Sequence, residues 1–248
     1  MDRNYWEKIA PGYNDEIFDV LKNDTKGIIR KAIAKASSPD AVVMDMGCAV
    51  GKWLPLLSPS FKKVIAVDIS AKNLSIAKKL YPALENVEYV RADLSSASAK
   101  FPKADVLLCV NAILTDSMKK RNAFFSNISS SLKKEGSLIL VVPSLESWLL
   151  SRIIQRKYKI DKGLFNEKIS PKKGLEKYNS IQDGNADIDN VSTKHYLQDE
   201  LSLLLAKEKL VVEKIQKIEY DWSTEFVNKP KWLQTPKPWD WLCVARKK

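Results

Sequence analysis

The sequence predicts an α/β fold around a mostly parallel sheet, and three observations predict it. Ala41 to Asp68 reads as strand, glycine turn, short helix, strand and terminal acid. Apolar runs of strand length alternate along the chain with segments of helical periodicity. The length of 248 residues suits one large domain with a substantial core.

Within the first unit, Ala41 to Met44 is apolar and the chain then turns through Asp45-Met46-Gly47-Cys48-Ala49-Val50-Gly51. Trp53, Leu54 and Leu57 mark a short helix, and Val64 to Val67 forms a second strand ending at Asp68. Glycines at such a turn let backbone approach a ligand that a β-carbon would exclude. A carboxylate at the second strand's end has two oxygens to accept from two ribose hydroxyls. An adenosine-containing cofactor is therefore expected. The dinucleotide pattern Gly-x-Gly-x-x-Gly is not met, because its three places hold Gly47, Ala49 and Lys52. No Gly-x-x-x-x-Gly-Lys-Ser/Thr phosphate loop is present either.

The spacing Asp45-x-Gly47-x-Ala49-x-Gly51 resembles the first motif of class I S-adenosylmethionine-dependent methyltransferases, with Ala49 in the place of the middle glycine. Trp6, Ala10, Tyr13 and Asn14 resemble the N-terminal Trp-x-x-x-Ala-x-x-Tyr-Asp/Asn stretch of quinone-biosynthesis-type members, where the tyrosine belongs to a flap. The resemblance covers about residues 5–145 and 193–246. It implies a Rossmann-like seven-stranded sheet, helices on both faces, and a last strand running antiparallel between the fifth and sixth. It implies S-adenosylmethionine held by Tyr13, Asp45, Gly47, Cys48, Ala49, Gly51, Trp53, Asp68, Ile69, Asp93, Leu94 and Asn111. Asp68 would hold the ribose, Asp93 would meet the adenine amino group and Leu94 would cover its ring.

The elements follow in order. Residues 1–36 form an N-terminal helical cap: Asn14 caps a helix with Asp15 and Glu16 in its first turn, and Gly27 splits the apolar series from Ile17 to Ile33 into two helices. Ser70 caps a helix running to Leu80, which Pro82 ends. Val87 to Val90 is the third strand, and Asp105 to Val110 the fourth, apolar after its first residue as a central strand should be. Asn111 to Leu114 leaves its end and does not read Asn-Pro-Pro-Tyr, which argues against methylation of adenine or glutamine amide nitrogen. Cys109 lies within the strand and reads as core. A helix with Phe124, Phe125, Ile128 and Leu132 ends at Lys133-Lys134-Glu135-Gly136, with the glycine as C-terminal cap. Ser137 to Val142 is the fifth strand.

Residues 147–196 break the rhythm and read as an insertion covering the substrate side. Between Ser147 and Ile181 stand nine basic residues against three acidic ones, so much of the chain's +11 charge sits there. Asp183, Gly184, Asp187 and Asp189 read as a polar loop. His195-Tyr196 then precedes a helix with Leu197, Leu201, Leu204 and Leu205. Val211 to Trp222 is a long strand and Trp239 to Val244 the last one.

Cys48, Cys109 and Cys243 form no Cys-x-x-Cys pair, so reduced thiols are expected rather than a disulfide scaffold or zinc site. The single histidine excludes a His-rich metal site, and no metal is expected. No apolar signal core follows residues 1–4 and no run approaches the ~20 apolar residues of a bilayer span, so a cytoplasmic location is expected. The positive charge suggests an anionic partner such as nucleic acid, a lipid headgroup or an acidic substrate, and the basic insertion points to a small or medium-sized acceptor with an anionic part. No lysine cluster is interleaved with aromatics, which disfavours nucleic acid. An RNA-modifying enzyme and a non-catalytic cofactor-fold protein stay open as alternatives. Should the acceptor have to lose a proton, His195 and Tyr13 are the candidate bases, ahead of Asp116 and Glu146.

Overall fold

Apolar strands without a polar face must be covered on both sides, and here helices cover them. The computed structural model describes residues 2–13, 17–161, 170–188 and 191–248. The chain begins with α1 (Arg3–Ile9), one 3-10 turn (Ala10–Gly12), α2 (Val20–Asn23) and α3 (Ile28–Ala36). The central elements are β1 (Ser38–Met46), α4 (Leu54–Leu57), β2 (Phe61–Asp68), α5 (Ala71–Leu80), β3 (Val87–Arg91), β4 (Ala104–Val110), α6 (Met118–Ser131) and β5 (Leu132–Pro143). Then come α7 (Leu145–Tyr158), α8 (Pro171–Gln182), the hairpin β6 (Asn185–Ile188) and β7 (Val191–Lys194), α9 (Gln198–Lys207), β8 (Leu210–Glu219) and β9 (Trp239–Lys247).

Seven strands form the main sheet in the order β3-β2-β1-β4-β5-β9-β8. All neighbours are parallel except β9, which runs antiparallel to both β5 and β8. This is the expected seven-stranded topology, with the last strand inserted between the fifth and the preceding one. Side chains alternate across the sheet: Met44, Leu107, Cys109 and Leu140 pack with Phe124, Phe125 and Leu201 on one face. Val43, Val106, Leu108 and Val141 pack with Ile29, Ile33, Leu54 and Ala77 on the other. Cys109 is core, as read from its place in the run. The chain leaves β1 towards β2 on one side and returns to β4 on the other. Loops after β1 and β4 therefore diverge, and a crevice opens between them at the carboxyl ends.

Several boundaries differ from expectation. The capping role given to Asn14, with Asp15 and Glu16, lies outside the described residues. Ile17 sits in a bend, and α2 starts at Val20 under Asp19, whose Oδ1 accepts from Lys22 N at 3.0 Å. Gly27 does divide the helices, at φ 61°, and Asp24 caps α3 by accepting from Ile28 N and Ile29 N, each at 2.9 Å. Gly136 is not a helix cap. The helix ends at Ser131, and Lys133 to Gly136 bulge out of β5 while Ala104 pairs with Leu132 and Val106 with Ser137. Glycine is needed there because a β-carbon would lie 2.9 Å from Asp105 O. Asp183 to Asp187 is not a loop throughout: Asn185 and Ala186 begin a hairpin paired with Lys194 and Thr193, while Asp189 lies outside the described residues. The strand expected to reach Trp222 stops at Glu219, and Trp222 is buried in a 3-10 turn. No helix among the described residues is long and apolar enough to cross a membrane.

Two ties set the crevice walls. Asn127 of α6 donates from Nδ2 to Leu94 O and Ser96 O, both at 2.9 Å, fixing the loop after β3. Tyr196 donates from its hydroxyl to Ile113 O at 2.9 Å and fixes the segment after β4. Asn127→Ala removes both bonds of a buried amide. It is expected to lower unfolding free energy by about 1–3 kcal/mol in urea titration, and an unchanged midpoint would show that the loop holds itself.

Candidate functional site

The site is built on the turn after β1. Val67 O accepts from both Gly47 N at 2.8 Å and Cys48 N at 2.9 Å, which folds the chain back over the end of β2. Gly47 lies at φ 86°, and a β-carbon there would stand 2.5 Å from Ala112 Cβ. Gly51, at φ 81°, closes the turn through its N–H to Cys48 O at 2.8 Å. Ala49 adopts φ 46°, a left-handed conformation that costs an L-residue roughly 1–2 kcal/mol. Its N–H donates to Asp68 Oδ2 at 2.9 Å, which offsets that cost.

Asp68 is the hub of the crevice. Its Oδ1 accepts from Ser70 N at 2.8 Å and Asn73 Nδ2 at 3.4 Å, and Oδ2 from Ala49 N. Burial raises its pKa and these hydrogen bonds pull it partly back. Each carboxylate oxygen keeps further lone-pair capacity. Asp45 is more deeply enclosed. Its Oδ2 has no hydrogen-bond partner among the described residues, and burial first, Asp68 second, push its pKa up to about 7.

The crevice is lined by Gly47, Ala49, Asp68, Ile69, Asp93, Leu94 and Asn111, with Trp6 and Tyr13 contributed by the N-terminal segment. Eight of the twelve residues expected at the cofactor, Tyr13 among them, thus meet on one cavity. Asp45, Cys48, Gly51 and Trp53 stand behind the turn and shape it from within; Cys48 and Trp53 belong to the core under it. Asp93 is exposed at the rim, its Oδ1 accepting from Ser95 N at 2.8 Å and Ser95 Oγ at 2.6 Å. Beside it the crevice widens into a recess of about 790 Å³ that also meets Arg91 and Lys120. The Tyr13 hydroxyl is held protonated, by burial first and by Asp68 second.

The other candidate bases fall elsewhere. His195 is buried outside the crevice lining, with Nδ1 2.9 Å from Thr193 O, and burial pushes its pKa down to about 4. A neutral ring so enclosed packs beside Trp148, 6.2 Å between centroids. Glu146 accepts from Gln198 N at 2.9 Å and Trp241 Nε1 at 3.1 Å, a structural tie. Asp116 is exposed.

Sequence reasoning missed three participants. Glu7 of α1 reaches across to the start of α5, accepting from Ala71 N at 2.9 Å, Lys72 N at 3.2 Å and Ser70 Oγ at 3.1 Å. That clamp fixes the N-terminal segment against the crevice; an acid at a helix start is a readable signal only when the helix belongs to the same stretch. Asp240 carried no signal, because its partner Asn111 lies 129 positions away in sequence; Asn73, five positions after Asp68, is near it in sequence but sits inside the helix that Ser70 caps.

An adenosyl group fits these residues on structural grounds. Asp68 offers paired oxygens, and no donor among the described residues reaches the buried oxygens Asp45 Oδ2 and Asn111 Oδ1. Fold and site define an α/β protein with a crevice at the reversal point of its sheet. Residues 43–136, which hold the turn after β1, Asp68 and Asn111, match the family described as "Methyltransferase domain". No curated protein sequence matches the chain. Many solved structures share the fold. A methyltransferase from Anabaena variabilis is 15% identical at a TM-score of 0.66, over 99% of this chain and 93% of that one. One from Methanosarcina mazei is 18% identical at 0.61, over 87% and 96%. The N-methyltransferase NodS from Bradyrhizobium japonicum, in complex with S-adenosylhomocysteine, is 11% identical at 0.62, over 99% and 97%.

Asp45 supplies a pH test. Its folded pKa, about 7, exceeds the ordinary 3.8, so stability is complete below the unfolded value and is lost as pH rises towards 7. Asp45→Asn should therefore melt higher than the parent at pH 8, by roughly 2–4 °C per kcal/mol relieved. The gap should shrink towards pH 4. Equal melting curves at both pH values would contradict the strain assigned to this carboxylate.

Proposed function

We propose that the protein transfers a methyl group from S-adenosylmethionine to a small or medium-sized acceptor bound beyond Asn111. The observation that carries this reading is the convergence of Gly47, Ala49, Asp68, Asp93 and Asn111 on one crevice at the strands' carboxyl ends. When bound, the cofactor supplies an electrophilic methyl group on a sulfonium. The chain's residues supply placement. Asp68 accepts from the ribose hydroxyls, and the turn Gly47–Gly51 gives backbone contact to the amino-acid end. Asp93 and Leu94 hold the adenine by its amino group and its face. Trp6 and Tyr13 close the crevice against water. Such positioning can account for roughly 7–11 kcal/mol of barrier lowering without a specialised nucleophile.

The finer reading concerns the acceptor. Exposed cations on α7 and α8, among them Arg152, Lys172, Lys173 and Lys177, support an acceptor with an anionic part. Reversing Lys172 and Lys173 to Glu should weaken acceptor binding and flatten its salt dependence, with cofactor affinity unchanged. An unaltered acceptor Michaelis constant and salt slope would remove the anionic requirement.

The cofactor roles are tested by calorimetry with S-adenosylhomocysteine. Asp68→Ala is expected to weaken binding by about 1.5–3 kcal/mol, the scale of hydrogen bonds to a charged group. Undiminished affinity would contradict the ribose role.

A further inference from the structure

Behind Asn111 in the crevice wall stand two polar residues that cofactor placement does not use, Asp240 and Tyr220. Asp240 opens β9 and pairs with Pro143 of β5 and Ile218 of β8. Its Oδ2 accepts from Asn111 Nδ2 at 3.0 Å and from the Tyr220 hydroxyl at 2.9 Å. No donor among the described residues reaches its Oδ1, and no cation among them pairs with it. The residue as a whole is half-buried, and Oδ1 is not among the fully enclosed polar atoms without partners. Asn111 Oδ1, next to it, is buried and also without a donor. Two neighbouring acceptor oxygens without donors call for a ligand that brings N–H or O–H.

Resting on the methyltransferase reading, we propose that Asp240 binds the acceptor through Oδ1 and takes its proton, so that methylation falls on an oxygen or nitrogen that carries hydrogen. The proton passes from the acceptor atom to the carboxylate while that atom's electron pair makes the new bond to the methyl carbon. The pair of the broken carbon–sulfur bond stays on sulfur. The positive charge of the sulfonium and the negative charge of Asp240 disappear together, and the step balances. Asn111 and Tyr220 are positioning residues that hold the other oxygen.

The surroundings suit this task. Burial pushes the Asp240 pKa up to about 6, while Asn111 and Tyr220 lower it and Glu225 adds to the rise. Asp24 acts on Tyr220, and Arg152 acts on Glu225. A carboxylate with this pKa is ionised at neutral pH and still basic enough to accept a proton.

The test uses the full chain loaded with S-adenosylhomocysteine and matched probes: phenol with anisole, benzylamine with N,N-dimethylbenzylamine, 4-hydroxybenzoate with 4-methoxybenzoate. Calorimetry should show at least one hydrogen-bearing member bound about tenfold or more tightly than its blocked partner, a gap that Asp240→Asn closes. With labelled cofactor, Asp240→Asn should lower kcat about 100-fold or more and abolish the acid limb near pH 6 in kcat/KM. Its affinity for S-adenosylhomocysteine should stay within about threefold of the parent, since no cofactor contact is removed. Tyr220→Phe keeps the carboxylate but removes a donor to it, so its acid limb should move to higher pH; this arm decides the matter should Asp240→Asn fail to fold. The proposal is overturned if both variants keep the parent's limb, if blocked probes bind as well as their partners, or if the cofactor-binding parent methylates none of the hydrogen-bearing probes. A parent that does not bind S-adenosylhomocysteine at all would sink the cofactor reading itself, and this proposal with it.

Discussion

Val67 O accepts from two consecutive backbone N–H groups, Gly47 and Cys48, and the geometry of the crevice follows from that double bond. It bends the chain sharply enough that Ala49 N comes to Asp68 rather than continuing along the sheet. The bend is possible because Gly47 has no β-carbon to meet Ala112, which enters from the loop after β4. One carbonyl thus couples three strand ends: β2 provides it, β1 supplies the donors, and the loop after β4 fits into the space left. A side chain at position 47 would separate β1 from the β4 loop and dismantle the wall that Asn111 extends.

The crevice is electrically opposite to the surface around it. The chain carries a net charge of +11. Yet none of Asp45, Asp68, Asp93 and Asp240 is in an ion pair with Lys, Arg or His among the described residues. Unpaired carboxylates in an enclosed place strain the empty fold, and the raised pKa values of Asp45, Asp68 and Asp240 express that strain. A cationic ligand seated there would relieve it. The core on both sheet faces supplies the stability against which such strain is tolerated, and the site is accordingly more polar than anything packed beneath it.

Those parts of the fold whose cause is local were legible in the sequence. Ala41 to Asp68 carries its own instructions: apolar runs, turn glycines and a terminal acid all act within 28 residues. Ser70 capping α5 and Gly27 dividing α2 from α3 are likewise short-range effects. Failures came where a distant contact decides. Gly136 resembles a helix cap, but Asp105 O from the neighbouring strand is what excludes a side chain there. The polar stretch after Asp183 pairs as a hairpin because Lys194, itself buried against Glu200 at 2.6 Å, and His195 return over Gly184. His195 attracted attention as the single histidine, while its burial depends on contacts with Thr193 and Trp148 that no spacing reveals.

Asp240 shows why the final strand matters to the chemistry. Parallel strands present their carboxyl ends at the crevice, while their amino ends lie at the opposite edge of the sheet. An antiparallel strand inserted among them reverses this, so β9 brings its first residues to the same rim. Asp240 thereby reaches Asn111 across 129 positions of sequence, two strands away from β4. Asn111 meets it by leaving β4 at φ 47°, a conformation asparagine tolerates better than most residues. In an all-parallel sheet the carboxylate would lie at the opposite edge, and the oxygen beside Asn111 would have to come from a loop. Delivered on a strand hydrogen-bonded on both sides, it stands where only small displacements are allowed, as proton transfer over hydrogen-bond distance demands.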